Sequence, residues 1–197
     1  KLQLQPGMRL LDIGCGWGGL AEYAARHYGV SVDGVTISQE QQKMAQQRCE
    51  GLDVSILLQD YRDLNRKYDR IVSVGMFEHV GPKNYDTYFK VVDRCLKADG
   101  LFLLHTIGSN ETGVNVDPWI NKYIFPNGCL PSIRQIANVS ESRLIMEDWH
   151  NFGSDYDRTL MAWHQRFNAA WPDIATHYTP RFRRMFNYYL CACAGAF

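Results

Sequence analysis

At 197 residues, 46% of them apolar, the chain can bury a substantial core and fits most simply into a single α/β domain. Its 21 basic and 21 acidic residues balance, which argues against the strong positive field of a nucleic-acid binder, and no apolar run reaches the length of a membrane span. Six cysteines, Cys15, Cys49, Cys95, Cys129, Cys191 and Cys193, lack any C-x-x-C pair or zinc spacing, so they read as reduced thiols of a cytosolic protein with no metal.

The opening residues Lys1 to Gly7 lack a hydrophobic signal core and run directly into a Pro-Gly turn, as expected of a fragment of something longer. The first strand is expected over Met8 to Ile13, followed by a glycine turn and a helix from Gly18 to His27 that Gly29 stops. A second strand, Val30 to Ile37, leads through Ser38 as N-cap into a helix reaching Cys49, and Val54 to Leu58 forms a third strand. Asp69 to Val74 is a fourth strand, Tyr85 to Leu96 a helix ended by an Asp99-Gly100 turn, and Leu101 to Thr106 a fifth strand. Strands alternating with helices predict an α/β fold: a three-layer, doubly wound, Rossmann-like sheet, mostly parallel.

Past residue 107 the rhythm changes. Residues 108–131, rich in Asn, Gly and Pro yet carrying Trp119, Tyr123, Ile124 and Phe125, are expected to form an ordered insertion packed over the sheet. Ser132 to Asn138 reads as a short helix and Leu144 to Trp149 as a sixth strand. From Tyr156 the chain is helical and aromatic, with Leu160, Trp163, Phe167 and Trp171, then Phe182, Met185, Phe186, Tyr189 and Leu190. That stripe fits a core as well as an acyl tunnel.

In an open parallel sheet, ligands bind beyond the carboxyl ends of the strands. Gly14, Gly16 and Gly19 satisfy G-x-G-x-x-G, a spacing that alone also fits an ordinary tight turn. A dinucleotide site wants an acid at the end of the second strand to hold the ribose, but that strand ends Val35-Thr36-Ile37-Ser38. Asp12, inside the motif, points instead to a cationic, amino-bearing ligand. After the fourth and fifth strands come Glu78, His79 and His105, which as chemistry would be acid–base groups and as plain structure a helix cap, a loop residue and a core histidine.

Leu11-Asp12-Ile13-Gly14-Cys15-Gly16 resembles the cofactor motif of class I S-adenosylmethionine-dependent methyltransferases. Together with Val35 to Gln41, Asp69 to Val80 with its Phe77-Glu78-His79, Phe102 to Ile107, and Asp117 to Pro126, the chain is similar to the bacterial cyclopropane-fatty-acyl-phospholipid synthases and their mycolic acid cyclopropane synthase relatives, up to Phe197. The resemblance implies S-adenosyl-L-methionine as cofactor. Asp12 and the turn Gly14, Cys15 and Gly16 would serve its methionine half, Thr36 and Gln41 its ribose, Tyr61 and Arg62 the adenine edge, and Val74 its flank. It also implies a bicarbonate ion held by Glu78, His105, Tyr156 and the backbone of Ile107. Cys193 matches a suspected nucleophile, although methyl transfer to an alkene needs no thiolate and the Ala-rich helix around it favours a structural role. The family's N-terminal region and closing seventh strand have no counterpart here, so residues 1–197 are expected to be one catalytic domain without them. The implied partner is a membrane phospholipid with unsaturated acyl chains, met peripherally at the inner membrane surface by a cytoplasmic enzyme; a homodimer is left open.

The chemistry has its own requirements. An isolated double bond attacks only a strong methyl donor, and attack leaves a carbocation on the acyl chain. Ring closure then needs a base beside an apolar, water-free tunnel, since water would trap the cation as an alcohol. Two other functions stay open at this level: transfer of a plain methyl to a lipid or small molecule, with no need of bicarbonate, and a cofactor- or lipid-binding module without turnover.

Overall fold

The computed structural model describes residues 1–113 and 116–196; Val114 and Asn115, inside the expected insertion, and Phe197, the end of the resemblance, lie outside the described residues. Contacts divide the chain into two compact units, Lys1–Val116 with Asn127–Met146, and Asp117–Pro126 with Glu147–Phe197.

The first unit is built on a five-stranded sheet in the order β3-β2-β1-β4-β5. The strands are β1 (Arg9–Ile13), β2 (Ser31–Thr36), β3 (Val54–Leu58), β4 (Tyr68–Val74) and β5 (Leu96–His105), and every neighbouring pair is parallel. Side-chain alternation along the strands splits the core in two. Leu11, Ile13 and Ile71 face Tyr85, Tyr88, Phe89 and Val92 of α3 (Tyr85–Cys95), and Leu10, Val32 and Val72 face Ala21 and Ala24 of α1 (Gly19–Tyr28) and Ala45 of α2 (Gln39–Arg48). The local signals act as anticipated. Gly29 ends α1 in the left-handed conformation, and the Ser38 side chain accepts the Gln41 N–H at 3.3 Å at the start of α2. The chain winds outward from β1 to β3, then crosses to β4 on the other side of β1, so the crevice of the doubly wound sheet opens at the ends of β1 and β4.

Two expectations are corrected. The Asp99-Gly100 turn lies inside β5: Tyr68 opposes Leu96 while Arg70 opposes Leu101, so β4 advances two residues where β5 advances five. Turn chemistry here makes a bulge, because the backbone on both sides of it is paired to β4. The sixth strand, Leu144 to Trp149, does not form; Leu144 packs at the edge of the α3 core while Ile145 stands 86% exposed. An apolar run becomes a strand only where a neighbour offers backbone partners, and this segment has no ladder.

In the first unit, α5 (Ile133–Ser140) begins with a reciprocal capping box between Ser132 and Gln135. The second unit contains α4 (Pro118–Tyr123), α6 (Gly153–Ile174) and α7 (Pro180–Ala194). The helix of the expected insertion belongs to this unit's core: Trp119, Ile120 and Ile124 pack against Leu160, Tyr189 and Leu190. None of the described helices is long and apolar enough to cross a membrane.

Candidate active site

The turn after β1 is held tightly. Gly14 and Cys15 both donate their N–H to the Val35 carbonyl of β2, each at 3.0 Å. Gly14 has φ +82°, and a Cβ there would lie 2.6 Å from Met76 Cγ, so only glycine lets this backbone pass under the loop that follows β4. Asp12 is 2% exposed and pairs in register with Gly34 and Val72. Its Oδ2 is buried with no hydrogen-bond partner, and burial pushes its carboxyl up to about 7. A carboxylate so placed is incomplete until a cation or a donor reaches it. Cys15, by contrast, is packing: burial first, and then Asp12, push its thiol up to about 12.

The structure brings Thr36 and Gln41 together at the end of β2, where Thr36 Oγ1 donates to Gln41 Oε1 at 2.8 Å and accepts the Ser38 N–H at 3.1 Å. After β3 a short 3-10 turn, Tyr61–Asp63, is capped by Asp60, whose Oδ1 accepts the Arg62 N–H at 2.9 Å. The Arg62 guanidinium folds back onto the same carboxylate, at 2.9 and 2.6 Å, and the Tyr61 ring lies 5.3 Å from that of Tyr88. Arg62 therefore shapes the turn through Asp60, while the Tyr61 ring is half-buried against the α3 core.

Val74, 42% exposed, ends β4 directly opposite His105 of β5, and the Gly75 N–H donates to the His105 carbonyl at 3.0 Å. The chain then makes a tight 3-10 turn, Phe77–His79, that buries Glu78 to 8% exposure. Glu78 caps no helix; α3 is preceded by Asn84. Its Oε1 accepts the Ile107 N–H at 2.8 Å and its carbonyl accepts the Cys129 N–H at 2.7 Å. Glu78 Oε2 and His105 Nδ1 are both buried without a partner. Thus Asp12, Glu78 and His105, on the neighbouring strands β1, β4 and β5 or just beyond them, each present an unsatisfied polar atom, as do the Tyr85 and Tyr88 hydroxyls of α3, and the three at the strand ends are where a ligand is sought. The Ile107 amide, expected to help hold an anion, is here donated to Glu78.

Residues 1–197 match the family described as mycolic acid cyclopropane synthetase. The chain belongs to that family. It is 78% identical over all 197 residues to the cyclopropane-fatty-acyl-phospholipid synthase of Escherichia coli (strain K12), of which it covers 52%. Among solved structures it resembles the cyclopropane synthase MmaA2 of Mycobacterium tuberculosis, with a TM-score of 0.89 at 30% identity over 98% of this chain and 74% of that one. It also resembles the mycolic acid cyclopropane synthase CmaA1 complexed with SAH and CTAB, with a TM-score of 0.87 at 32% identity over the same shares. The resemblance carried by the glycine turn, the Phe-Glu-His segment and Phe102 to Ile107 is thereby shown, as is the methyltransferase-type fold. The chain spans about half the length of the curated E. coli relative.

In this cyclopropane synthetase family member, Asp12, the glycine turn, Thr36, Gln41, Tyr61, Val74, Glu78, His105 and Ile107 all belong to the sheet unit. Tyr156 and Cys193 belong to the helical unit, where both pack against the cluster of Leu160, Tyr189 and Leu190. The Tyr156 ring meets that of Trp163 at 6.1 Å. Burial pushes the Cys193 thiol up, away from the thiolate a nucleophile requires. Sequence reasoning missed the support that the Cys129 amide gives Glu78, and the Tyr85 ring that stacks on the preceding Phe77 at 4.3 Å. Every residue but proline offers an amide, so nothing in residue type marked Cys129.

Proposed function

We propose that the protein carrying this chain builds cyclopropane rings on the cis double bonds of unsaturated acyl chains in membrane phospholipids, with S-adenosyl-L-methionine as carbon donor and bicarbonate as base. The observation that carries this reading is the trio of buried, unsatisfied atoms Asp12 Oδ2, Glu78 Oε2 and His105 Nδ1 at the ends of adjacent strands. It agrees with the name of the E. coli relative and with the SAH bound by the CmaA1 relative.

The residues fit the cofactor. When bound, S-adenosylmethionine supplies a methyl group on a cationic sulfur. Asp12 complements a cationic ligand at the point where burial has left a carboxylate unpaired, and Gly14 and Gly16 let the backbone approach it. Thr36 and Gln41 are assigned to the ribose, Tyr61 with the Arg62 turn to the adenine edge, and Val74 to the flank.

The residues fit a small oxyanion base as well, which bicarbonate would supply beside the acyl chain. Glu78 Oε2 and His105 Nδ1 are the atoms free to orient it, and Ile107 fixes Glu78. Glu78 and His105 would hold such a base beside the transferred methyl group, where it would supply proton removal, and the burial of their free atoms would keep water from it. The enzyme would act on its lipid from the cytoplasmic face of the membrane by peripheral contact. Incubating the full-length protein with methyl-labelled S-adenosylmethionine and unsaturated phospholipid is expected to place label in ring-containing acyl chains. Label recovered only in open, methyl-branched chains would establish plain methyl transfer instead.

A further inference from the structure

The turn that carries Tyr61 and Arg62 lies outside the sheet ladder, and a single 3-10 turn has little cohesion of its own. It is fastened from behind by α3. Arg94, in the last turn of α3, donates through Nη2 to the Arg62 carbonyl and to the Leu64 carbonyl, both at 2.8 Å, and through Nε to the Leu64 carbonyl again at 3.1 Å. Cys95 adds a thiol contact to the Leu64 carbonyl at 3.5 Å, and Tyr88, about two turns earlier on the same face of α3, meets the Tyr61 ring. One planar guanidinium thus grips the carbonyls at the end of the turn, and its rigid fork sets their spacing. A lysine, with a single nitrogen on a flexible stem, cannot hold both carbonyls in a fixed geometry.

We infer that Arg94 is a positioning residue for the cofactor, setting affinity for its adenine end by holding the Tyr61–Arg62 turn against α3. The inference rests on the assignment of that turn to adenine made above. Charge-assisted hydrogen bonds to backbone carbonyls are strong enough for their loss to be read in affinity. The same helix begins at Tyr85, under the Glu78 turn, so its two ends support different parts of the site: the proton-handling end at Tyr85 and the cofactor end at Arg94.

The test compares Arg94→Lys, Arg94→Gln, Tyr61→Leu and the double variant Tyr61→Leu/Arg94→Lys in the full-length protein, by calorimetric binding of S-adenosylhomocysteine and by steady-state kinetics. Arg94→Lys is expected to raise the Kd and the cofactor KM about tenfold, while kcat at saturating cofactor and the KM for lipid change by about twofold or less. Tyr61→Leu is expected to weaken binding as well, and the double variant to be weakened less than the product of the two single effects, because both act through one turn. Should Arg94→Lys fold poorly, Arg94→Gln gives the same reading. A lowered Tm with Kd unchanged in the Arg94 variants, while Tyr61→Leu weakens binding, would make Arg94 purely structural and overturn the inference. A Tyr61→Leu variant that binds as well as the parent would remove the adenine assignment, and the inference with it.

Discussion

The backbone N–H of Ile107 donates to Glu78 Oε1 at 2.8 Å, so the segment leaving β5 fixes the side chain that follows β4. This bond occupies one carboxylate oxygen and leaves the other buried and unpartnered. It follows that Glu78→Gln can keep the Ile107 contact through its amide oxygen while losing the anionic oxygen. Turnover is expected to fall by about 100-fold or more, with S-adenosylhomocysteine affinity within about twofold of the parent. Equal losses in both would assign Glu78 to the cofactor shell.

The raised Asp12 carboxyl makes stability and cofactor binding depend on pH in opposite senses. Its value is about 7 in the folded chain against an ordinary 3.8, so folding favours the protonated form. The ligand-free protein is therefore expected to be most favoured, with respect to this group, below about pH 4, and to lose on the order of 4 kcal/mol as pH rises towards and through 7. Affinity for the cationic cofactor is expected to rise over the same range as Asp12 ionises. Asp12→Asn should flatten the pH dependence of Tm in the ligand-free protein and weaken cofactor binding; an unchanged melting profile would refute the burial argument.

Bicarbonate should be a measurable requirement. In buffers stripped of carbon dioxide the rate is expected to fall and to return on adding bicarbonate, and His105→Asn should raise the concentration needed for half-maximal rate by about tenfold. A rate indifferent to bicarbonate would favour plain methyl transfer.

Cys193 sits in the packing of α6 and α7, with its thiol pushed up by burial. Cys193→Ser is expected to lower Tm by a few degrees, in keeping with about 1 kcal/mol for a half-buried apolar contact, and to retain kcat within about threefold. Loss of turnover without loss of Tm would restore the nucleophile.

The candidate positions were readable because chemistry in a doubly wound sheet gathers just past strand ends. Five apolar runs located those ends, and Asp12, Glu78 and His105 fell at them. The two failures have one cause. Local chemistry makes a turn of Asp99-Gly100 and a strand of Leu144 to Trp149, yet whether a segment pairs is decided by the backbone beside it, which is far away in sequence. The supports were hidden for the same reason. Ile107 and Cys129 hold Glu78 through main-chain N–H groups, which carry no side-chain signature, and Arg94 grips carbonyls 30 and 32 positions away.

The sequence by itself determined the glycine turn, the strand and helix rhythm and the identity of the charged groups at the strand ends, because these depend on local periodicity and on residue chemistry. Only the tertiary structure decided which of those groups are left without partners. An unpaired atom is a property of everything packed around it. Asp12 is strained towards protonation because the sheet encloses it, and Glu78 presents a single free oxygen because the Ile107 amide reaches the other.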